Sequence, residues 1–478
     1  MSRSKAGVTV AFIATPAVGN LVPAVEFAQR LIDRDPRISA TILIITIPQR
    51  PIVTEYAASR PASAPPGLRF VHLPPVDPPP PDHFQSSIGF ISILIERHKP
   101  HVKRALADVV SSDSDSVSLA CLFLDMFSTT MIDVALELGV PSYLYFASPA
   151  GFLGLMLHLP TIDSLISGEL DDSDSELIIP SFANPVPATV LPSAVLRRKR
   201  DGYSWLLYHA RRYRETRGII VNTFQELEPF ALNSLSADQV APVYPVGPVL
   251  DLLGPAQWHF DPPQNEAIVK WLDDQPPASV VFLCFGSMGS LGAAQSREIA
   301  LGLERTGCRF LWSLRQPAEA QLSLPTDYAD LEGVLPRGFL DRTAGLGLIC
   351  GWVSQVTVLA HRAVGGFVSH CGWNSILESL WFDVPIATWP IYAEQQMNAF
   401  EMVRELGLSM EIRLDYRHGG ELVRAEEVER GVKQLMEGDG EVRRRVQVMG
   451  EKGRTAVMEG GSSYQAVGRL IEELVGGI

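Results

Sequence analysis

The chain of 478 residues is poor in cysteine. Its five cysteines, Cys121, Cys284, Cys308, Cys350 and Cys371, are odd in number and widely spaced, and no C-x-x-C pair occurs. That argues against a disulfide framework and a thiolate zinc site and suits reduced thiols in the cytosol. Long apolar runs are also missing. Met1–Gly7 is short and polar, and Val8–Ala14 is too brief for a signal h-region or a membrane span, so it reads as a first strand. Positive charge is in deficit: 40 Lys and Arg against 54 Asp and Glu give a net charge of -14. Such a chain repels phosphate backbones, which removes nucleic acid from the expected partners. Finally, no G-x-G-x-x-G follows the first strand, so the fingerprint of a nicotinamide dehydrogenase is absent.

What the chain does have is a soluble composition, 46% hydrophobic and 20% charged, and a length that exceeds one ordinary core. Two domains of roughly 200 to 250 residues are the natural division. Short apolar runs alternate with helical patterns: Val8–Thr15, then a helix over Leu21–Arg34, then Ala40–Thr46, with Leu119–Leu124, Thr129–Leu138 and Ser142–Phe146 further on. A second series holds Ser279–Phe285, the helix Ala294–Thr306, Arg309–Leu314, Gly347–Cys350, Gly365–Ser369 and Pro385–Trp389. Continuous apolar strands separated by amphipathic helices predict an α/β chain with two doubly wound parallel sheets. The stretch Tyr244–Pro255, rich in proline and glycine, is expected to link them. The expected division is 1–243, a linker at 244–255, 256–458, and a C-terminal segment at 459–478. Ligands of such sheets bind beyond the carboxyl ends of the strands, in a cleft between the two domains.

Pro74–Pro81 reads as a stiff loop and Leu170–Glu176 as an exposed acidic one. The basic runs at 197–200 and 211–217 read as a solvated helix face in preference to an anion site.

The densest polar cluster is G-W-V-S-Q at 351–355, followed by H-C-G-W-N-S-I-L-E at 370–378. A strand that ends at His370 and turns through Gly372 presents the amides of Trp373, Asn374 and Ser375 at a helix N-terminus, which suits phosphate. His370 offers a further donor or a positive charge. Glu378, one helical turn beyond Ser375, suits a pair of ribose hydroxyls. Trp352 offers a flat face for a base. Glu394 and Gln395 add a carboxylate and an amide suited to sugar hydroxyls. Taken singly, Trp352, Glu378 and His370 read more simply as a core indole, a solvated helix residue and a buried imidazole. Together they favour a nucleotide-sugar site.

Trp352 to Gln395 resembles the 44-residue signature box of the plant family 1 UDP-dependent glycosyltransferases, with W-x-x-Q, H-C-G-W-N-S-x-x-E and E-Q in order. The likeness extends to F-G-S-M-G-S at 285–290, F-L-W-S-L-R at 310–315 and Y-A-E-Q-Q-M-N-A at 392–399. It implies a GT-B fold, with the UDP-sugar mainly on the second domain and the C-terminal segment crossing back to the first. By that resemblance Trp352 stacks on uracil beside the Val353 main chain, Gln355 contacts the ribose and Glu378 holds its hydroxyls. His370, Asn374, Ser375 and Ser287 bind the diphosphate, and Trp373, Glu394 and Gln395 face the sugar. Gln395 at the last position resembles glucose users, which makes UDP-glucose the expected donor substrate; no metal or other cofactor is implied. Two positions depart from the family pattern. Ser354 stands where proline is common, and Asp383, where glycine is common, requires a backbone that tolerates a side chain in the left-handed region.

The largest departure lies in the first domain. The family's general base is a histidine in G-H-x-x-P, oriented by an aspartate after a later strand. Here the loop reads G-N-L-V-P, with Asn20 at the histidine position and Asp125, in L-F-L-D-M-F, at that of the aspartate. An amide cannot take the proton, and loss of such a base typically costs roughly 100-fold to 10,000-fold in rate. Four accounts stand open: an altered chain that traps substrates, an acceptor that ionises easily, another base such as Asp125, or a protein that binds without turnover. His72, His83, His98 and His101 offer no evident substitute. Alternatively, Asp125 caps the following helix through Ser128. Phe84, Ile88, Phe90, Met126, Phe127 and Val190–Leu196 are expected to line a pocket for a flat hydrophobic acceptor such as a flavonoid or another phenol. A monomeric cytoplasmic enzyme is expected, with no integral membrane span.

Overall fold

The computed structural model describes residues 7–476 apart from 48–50, 61–65, 113–116, 167, 171–174, 238–240, 254–261, 319–322, 418 and 439. The first six residues, most of the acidic loop expected at 170–176 and the end of the expected linker lie outside the described residues. Two compact units emerge. The first comprises Met1–Ala188, Ala194–Asp251 and Thr455–Ile478; the second comprises Thr189–Ser193 and Leu252–Arg454.

In the first unit seven strands form one sheet: β1 (Gly7–Ile13), β2 (Ile38–Ile44), β3 (Leu68–His72), β4 (Val117–Leu124), β5 (Ser142–Phe146), β6 (Ile219–Val221) and β7 (Val243–Pro245). Their order is β3-β2-β1-β4-β5-β6-β7, and every pairing is parallel. The stretch from Tyr244 therefore opens as an edge strand rather than as linker. Both faces of β1 are buried, which is why it reads as an unbroken apolar run. Phe12 of β1 stacks on Phe123 of β4 with centroids 4.5 Å apart, and Phe27 closes on both edge-on. Phe27 comes from the helix Val18–Arg34, whose buried Leu21, Ala24, Val25, Ala28, Leu31 and Ile32 recur at helical spacing.

The C-terminal helix Ser462–Gly476 packs on this unit. Its Glu473 accepts hydrogen bonds from the hydroxyls of Tyr143 (2.8 Å) and Tyr244 (2.6 Å) and from Arg217 (2.6 Å).

In the second unit six strands form the sheet: β8 (Val280–Cys284), β9 (Arg309–Ser313), β10 (Gly347–Cys350), β11 (Val364–Ser369), β12 (Ile386–Thr388) and β13 (Ser409–Glu411). The order is β10-β9-β8-β11-β12-β13, again parallel throughout. In each sheet the strand order reverses once, between β1 and β4 in the first unit and between β8 and β11 in the second. The loops leaving the carboxyl ends of such a pair diverge and leave a crevice, the usual ligand site of an open parallel sheet.

Candidate active site

Both predicted clusters sit at these reversal points. In the second unit Ser287 lies in the turn after β8, and His370 ends the run of β11. The two turns touch: Gly286 has φ +77°, and a Cβ there would fall 2.5 Å from Nε2 of His370. Gly372 is equally constrained, because its Cβ would fall 2.6 Å from the same nitrogen. The imidazole thus fills the space that two glycines leave.

Gly372 is the N-cap of the helix Trp373–Trp381 and provides no side-chain cap. Cys371 before it takes the left-handed conformation, φ +62°, which turns the chain from strand to helix; Nδ2 of Asn398 holds its carbonyl at 2.9 Å. Burial pushes the His370 pKa down to about 4, against a hydrogen bond with the Cys284 backbone that favours the charged form. With its pKa held that low the imidazole is neutral at neutral pH, so of the two roles expected for it, donor or positive charge, the donor is the one this environment favours.

Gln355 joins two other predicted residues. Its amide nitrogen donates to Ser375 Oγ at 2.8 Å and to Glu378 Oε2 at 2.6 Å. Gln355 begins the short helix Gln355–Leu359, and Ser354 caps it: its Oγ accepts from Thr357 N at 3.4 Å and from the Thr357 hydroxyl at 2.8 Å. The departure from proline at 354 therefore supplies a cap. Asp383 occupies the left-handed region, φ +58°, and its carboxylate accepts two bonds of 3.1 Å from Arg454.

After β12, Gln395 is buried, and its Oε1 accepts from the amides of Ile391 (2.9 Å) and Tyr392 (3.1 Å). Those two donors determine the amide orientation, so its N–H groups are the part available to a ligand. Glu394 beside it is half-buried. Trp373 is 2% exposed and Val353 4%, so both indole and isopropyl pack into the interior. Trp352 is partly exposed, past the end of the edge strand β10.

In the first unit the helix Val18–Arg34 begins three residues before its predicted start at Leu21, so Asn20 is its third residue, and Ala17 is the N-cap. The Asn20 amide N–H donates to Ala17 O at 3.0 Å, and its side chain is half-buried. Asp125, 3% exposed, follows β4. Its Oδ2 accepts from Thr15 N at 2.5 Å, and its Oδ1 accepts from Ser128 Oγ at 2.8 Å and Phe127 N at 3.2 Å. Burial pushes its pKa up, opposed by the hydrogen bonds from Thr15, Ser128 and Phe127. Both oxygens are thus engaged in holding the two loops together.

Among the acceptor candidates, Phe84 and Phe90 meet edge-on at 5.2 Å, Met126 and Phe90 are buried, and Phe84, Ile88 and Phe127 are half-buried. Val190, Leu191 and Val195 are core.

Sequence reasoning missed His209. It is fully buried, with Nε2 2.9 Å from Ser92 Oγ, Nδ1 2.7 Å from Thr129 Oγ1 and the Phe127 ring 6.0 Å away. Burial drives its pKa down to about 3, with Arg212 adding to the shift, and both nitrogens are occupied. It ties the loop after Asp125 to the helix Ser87–Arg97 and is no replacement base. Only its apolar setting, W-L-L-Y-H-A, hinted at a buried imidazole. Within the basic runs Arg198 pairs with Asp163 at 2.8 Å and Arg212 with Asp133 at 2.6 Å, around a cavity of about 790 Å³ lined by both signs of charge.

Among the described residues no group of three or more His, Cys, Asp or Glu could hold a metal ion. No described helix is long and apolar enough to cross a membrane.

Known proteins share this arrangement along nearly the whole chain. The profile of the family described as UDP-glucoronosyl and UDP-glucosyl transferase matches residues 243–438. UDP-glycosyltransferase 43 of Pueraria montana var. lobata is 57% identical, covering 97% of this chain and 98% of that protein. UDP-glucose flavonoid 3-O-glucosyltransferase 6 of Fragaria ananassa is 48% identical with the same coverage. The crystal structure of Medicago truncatula UGT71G1 complexed with UDP-glucose superimposes with a TM-score of 0.90 at 44% identity, covering 98% of each chain. With two parallel α/β units of GT-B type, this chain belongs to the plant family 1 UDP-dependent glycosyltransferases.

Proposed function

We propose that the protein transfers glucose from UDP-glucose to a small hydrophobic acceptor, a flavonoid or another phenol, with inversion at the anomeric carbon. The observation that carries this reading is the bonded set Gln355, Ser375 and Glu378 beside an uncapped helix N-terminus at a strand-order reversal. In this reading Trp352 stacks on uracil beside the Val353 main chain, and Gln355 and Glu378 take the ribose. Ser287, His370, Asn374, Ser375 and the amides after Gly372 take the diphosphate. Neutral His370 acts there as an N–H donor, and the helix dipole supplies the positive potential. Trp373 contributes main chain, Gln395 contributes its N–H groups, and Glu394 accepts from the sugar.

UDP-glucose in the Medicago relative supports the donor, and the Fragaria relative's name together with half-buried Phe84, Ile88 and Phe127 supports the acceptor class. Free thiols at all five cysteines suit the reducing cytosol, where the protein works as a monomer.

At residue 20 an acceptor meets an amide that can orient it but cannot take its proton. An unperturbed phenol has a pKa of about 10, so the reading favours acceptors with acidic hydroxyls or carboxyls, which need less help. A second reading, binding of UDP-sugar and acceptor without turnover, is favoured by the same asparagine.

The test is UDP release from UDP-glucose across phenols and carboxylic acids of graded acidity, for the wild type and Asn20→His. The first reading expects wild-type turnover that rises with acceptor acidity, and a gain of tenfold or more on simple phenols in the variant. UDP binding without release on any acceptor selects the second reading. Absence of UDP binding defeats both.

A further inference from the structure

We infer that Asp327 is a positioning residue for the indole of Trp352, acting on the peptide that carries it; the inference rests on the proposed role of Trp352 as the uracil platform. Trp352 follows the edge strand β10, which has a sheet neighbour on one side only, so regular strand pairing does not determine where its indole points. Three side chains from three separate elements hold this segment instead. Ser313 Oγ, at the end of β9, donates to the Gly351 carbonyl at 2.7 Å. The Trp352 N–H donates to Asp327 Oδ1 at 3.2 Å. Gln264 Nε2, from the helix Pro262–Asp273, donates to the Trp352 carbonyl at 2.7 Å.

The closeness of Asp327 shows in Gly351. A Cβ at that glycine would lie 2.0 Å from Oδ2 and 2.1 Å from Cγ of Asp327, so the carboxylate rests on the glycine where any larger residue would displace it. Asp327 is itself anchored. It lies on the antiparallel hairpin Arg315–Gln316 with Thr326–Asp327, and the Arg315 guanidinium pairs with it at 2.9 Å. That arginine side chain is only 10% exposed and also donates to the Pro325 carbonyl. The chain of support therefore runs from Arg315 through Asp327 to the peptide of Trp352.

A flat aromatic surface delivers its full stacking to a base only if it need not be ordered on binding. Releasing one end of its peptide returns that ordering cost to the binding step. The cost of ordering one side chain corresponds to about 2- to 12-fold in affinity. Asp327 touches no part of the reacting centre in this scheme, so the loss falls on nucleotide affinity and on the KM for UDP-glucose, with turnover at saturating donor retained. Gln264 acts on the same peptide from its other side and should give a loss of the same kind.

The experiment is calorimetric titration of the full-length protein with UDP, alongside the KM for UDP-glucose, kcat and the KM for the acceptor. The variants are Trp352→Ala, Asp327→Ala, Asp327→Asn and Gln264→Ala. The expected result is weaker UDP binding in Trp352→Ala, a loss of about 2- to 12-fold in Asp327→Ala, and recovery of much of it in Asp327→Asn, whose carbonyl oxygen still accepts from Trp352 N–H. If Trp352→Ala weakens UDP and Asp327→Ala does not, the positioning role is overturned while the platform stands. If Trp352→Ala binds UDP like the wild type, the platform reading fails and takes the inference with it. Equal losses in kcat and in affinity for both substrates would mark Asp327 as merely structural and also overturn the proposal.

Discussion

The backbone N–H of Thr15 donates to Oδ2 of Asp125 at 2.5 Å, across 110 residues of chain and inside the protein. It joins the loop after β1 to the loop after β4 at the point where the first sheet reverses its order, and so holds the loop that leads into the helix carrying Asn20. Asp125→Asn keeps the shape but turns an NH2 group toward one set of donors, either Thr15 N–H or those of Ser128 and Phe127. A buried donor left without an acceptor costs about 1–3 kcal/mol. Urea denaturation should show a loss of that size; an unchanged midpoint would mean the clamp contributes nothing.

Acid should destabilise the protein through its buried imidazoles. His209 and His370 are held at about 3 and about 4 by burial, below the ordinary 6.5. Each is neutral when folded, whereas the unfolded chain takes up a proton as pH falls through 6.5. The stability they contribute is fully present above that value and is lost as pH drops toward the folded pKa. At pH 5 the loss is up to about 2 kcal/mol per histidine. Replacing His209 by Gln should flatten the pH dependence between 6.5 and 5. A slope identical to the wild type would show that His209 does not titrate as described.

Glu378→Ala and Gln355→Ala each break the bond of 2.6 Å between these two residues, and Gln355→Ala also removes the donor to Ser375. Hydrogen bonds to charged groups contribute about 1.5–3 kcal/mol, so UDP should bind roughly 10- to 100-fold more weakly in Glu378→Ala. Calorimetry with UDP decides it, and retained affinity would remove Glu378 from the donor site.

Gly286→Ala should be harmful for two reasons that act together. Alanine is strained at φ +77°, and its methyl would press on the His370 ring. The expected cost is about 1–3 kcal/mol, read as a lower melting temperature together with weakened UDP binding. A variant that melts like the wild type and binds UDP normally would show that the turn yields easily.

Ser354→Ala removes the cap of the helix that opens with Gln355. The loss should be about 1 kcal/mol. Ser354→Pro, the residue the resemblance leads one to expect at this position, tests whether proline serves this backbone equally well. A melting temperature unchanged by Ser354→Ala would show that the cap carries no weight.

The parallel sheets were legible because strands buried on both faces leave unbroken apolar runs, as in Val280–Cys284 and Val364–Ser369, and these matched within a residue or two. Helix starts were less so: Val18 and Gly19 carry weak helix signals, and the first turn is set by Ala17 at the N-cap, which has no capping side chain. The edge strand at Val243–Pro245 was hidden by its prolines, which edge positions tolerate. Trp352 and Gln355 follow one strand-turn-helix unit and His370, Ser375 and Glu378 the next, so the polar residues were legible as two short clusters, and the amide at residue 20 was plain from the residue type alone.

What the tertiary structure decided is the state of those groups. The neutrality of His370 arises from desolvation by residues far away in sequence. Asp125 has both oxygens occupied because two loops meet, and Gln395 has its amide turned by a local backbone that no residue pattern announces. Asp327 reaches Trp352 only because a hairpin folds over Gly351. Residue type and local order determine which chemistry a chain can carry. Burial and hydrogen-bond partners, which depend on every element that closes around a group, determine which protonation state and which atoms are presented for it.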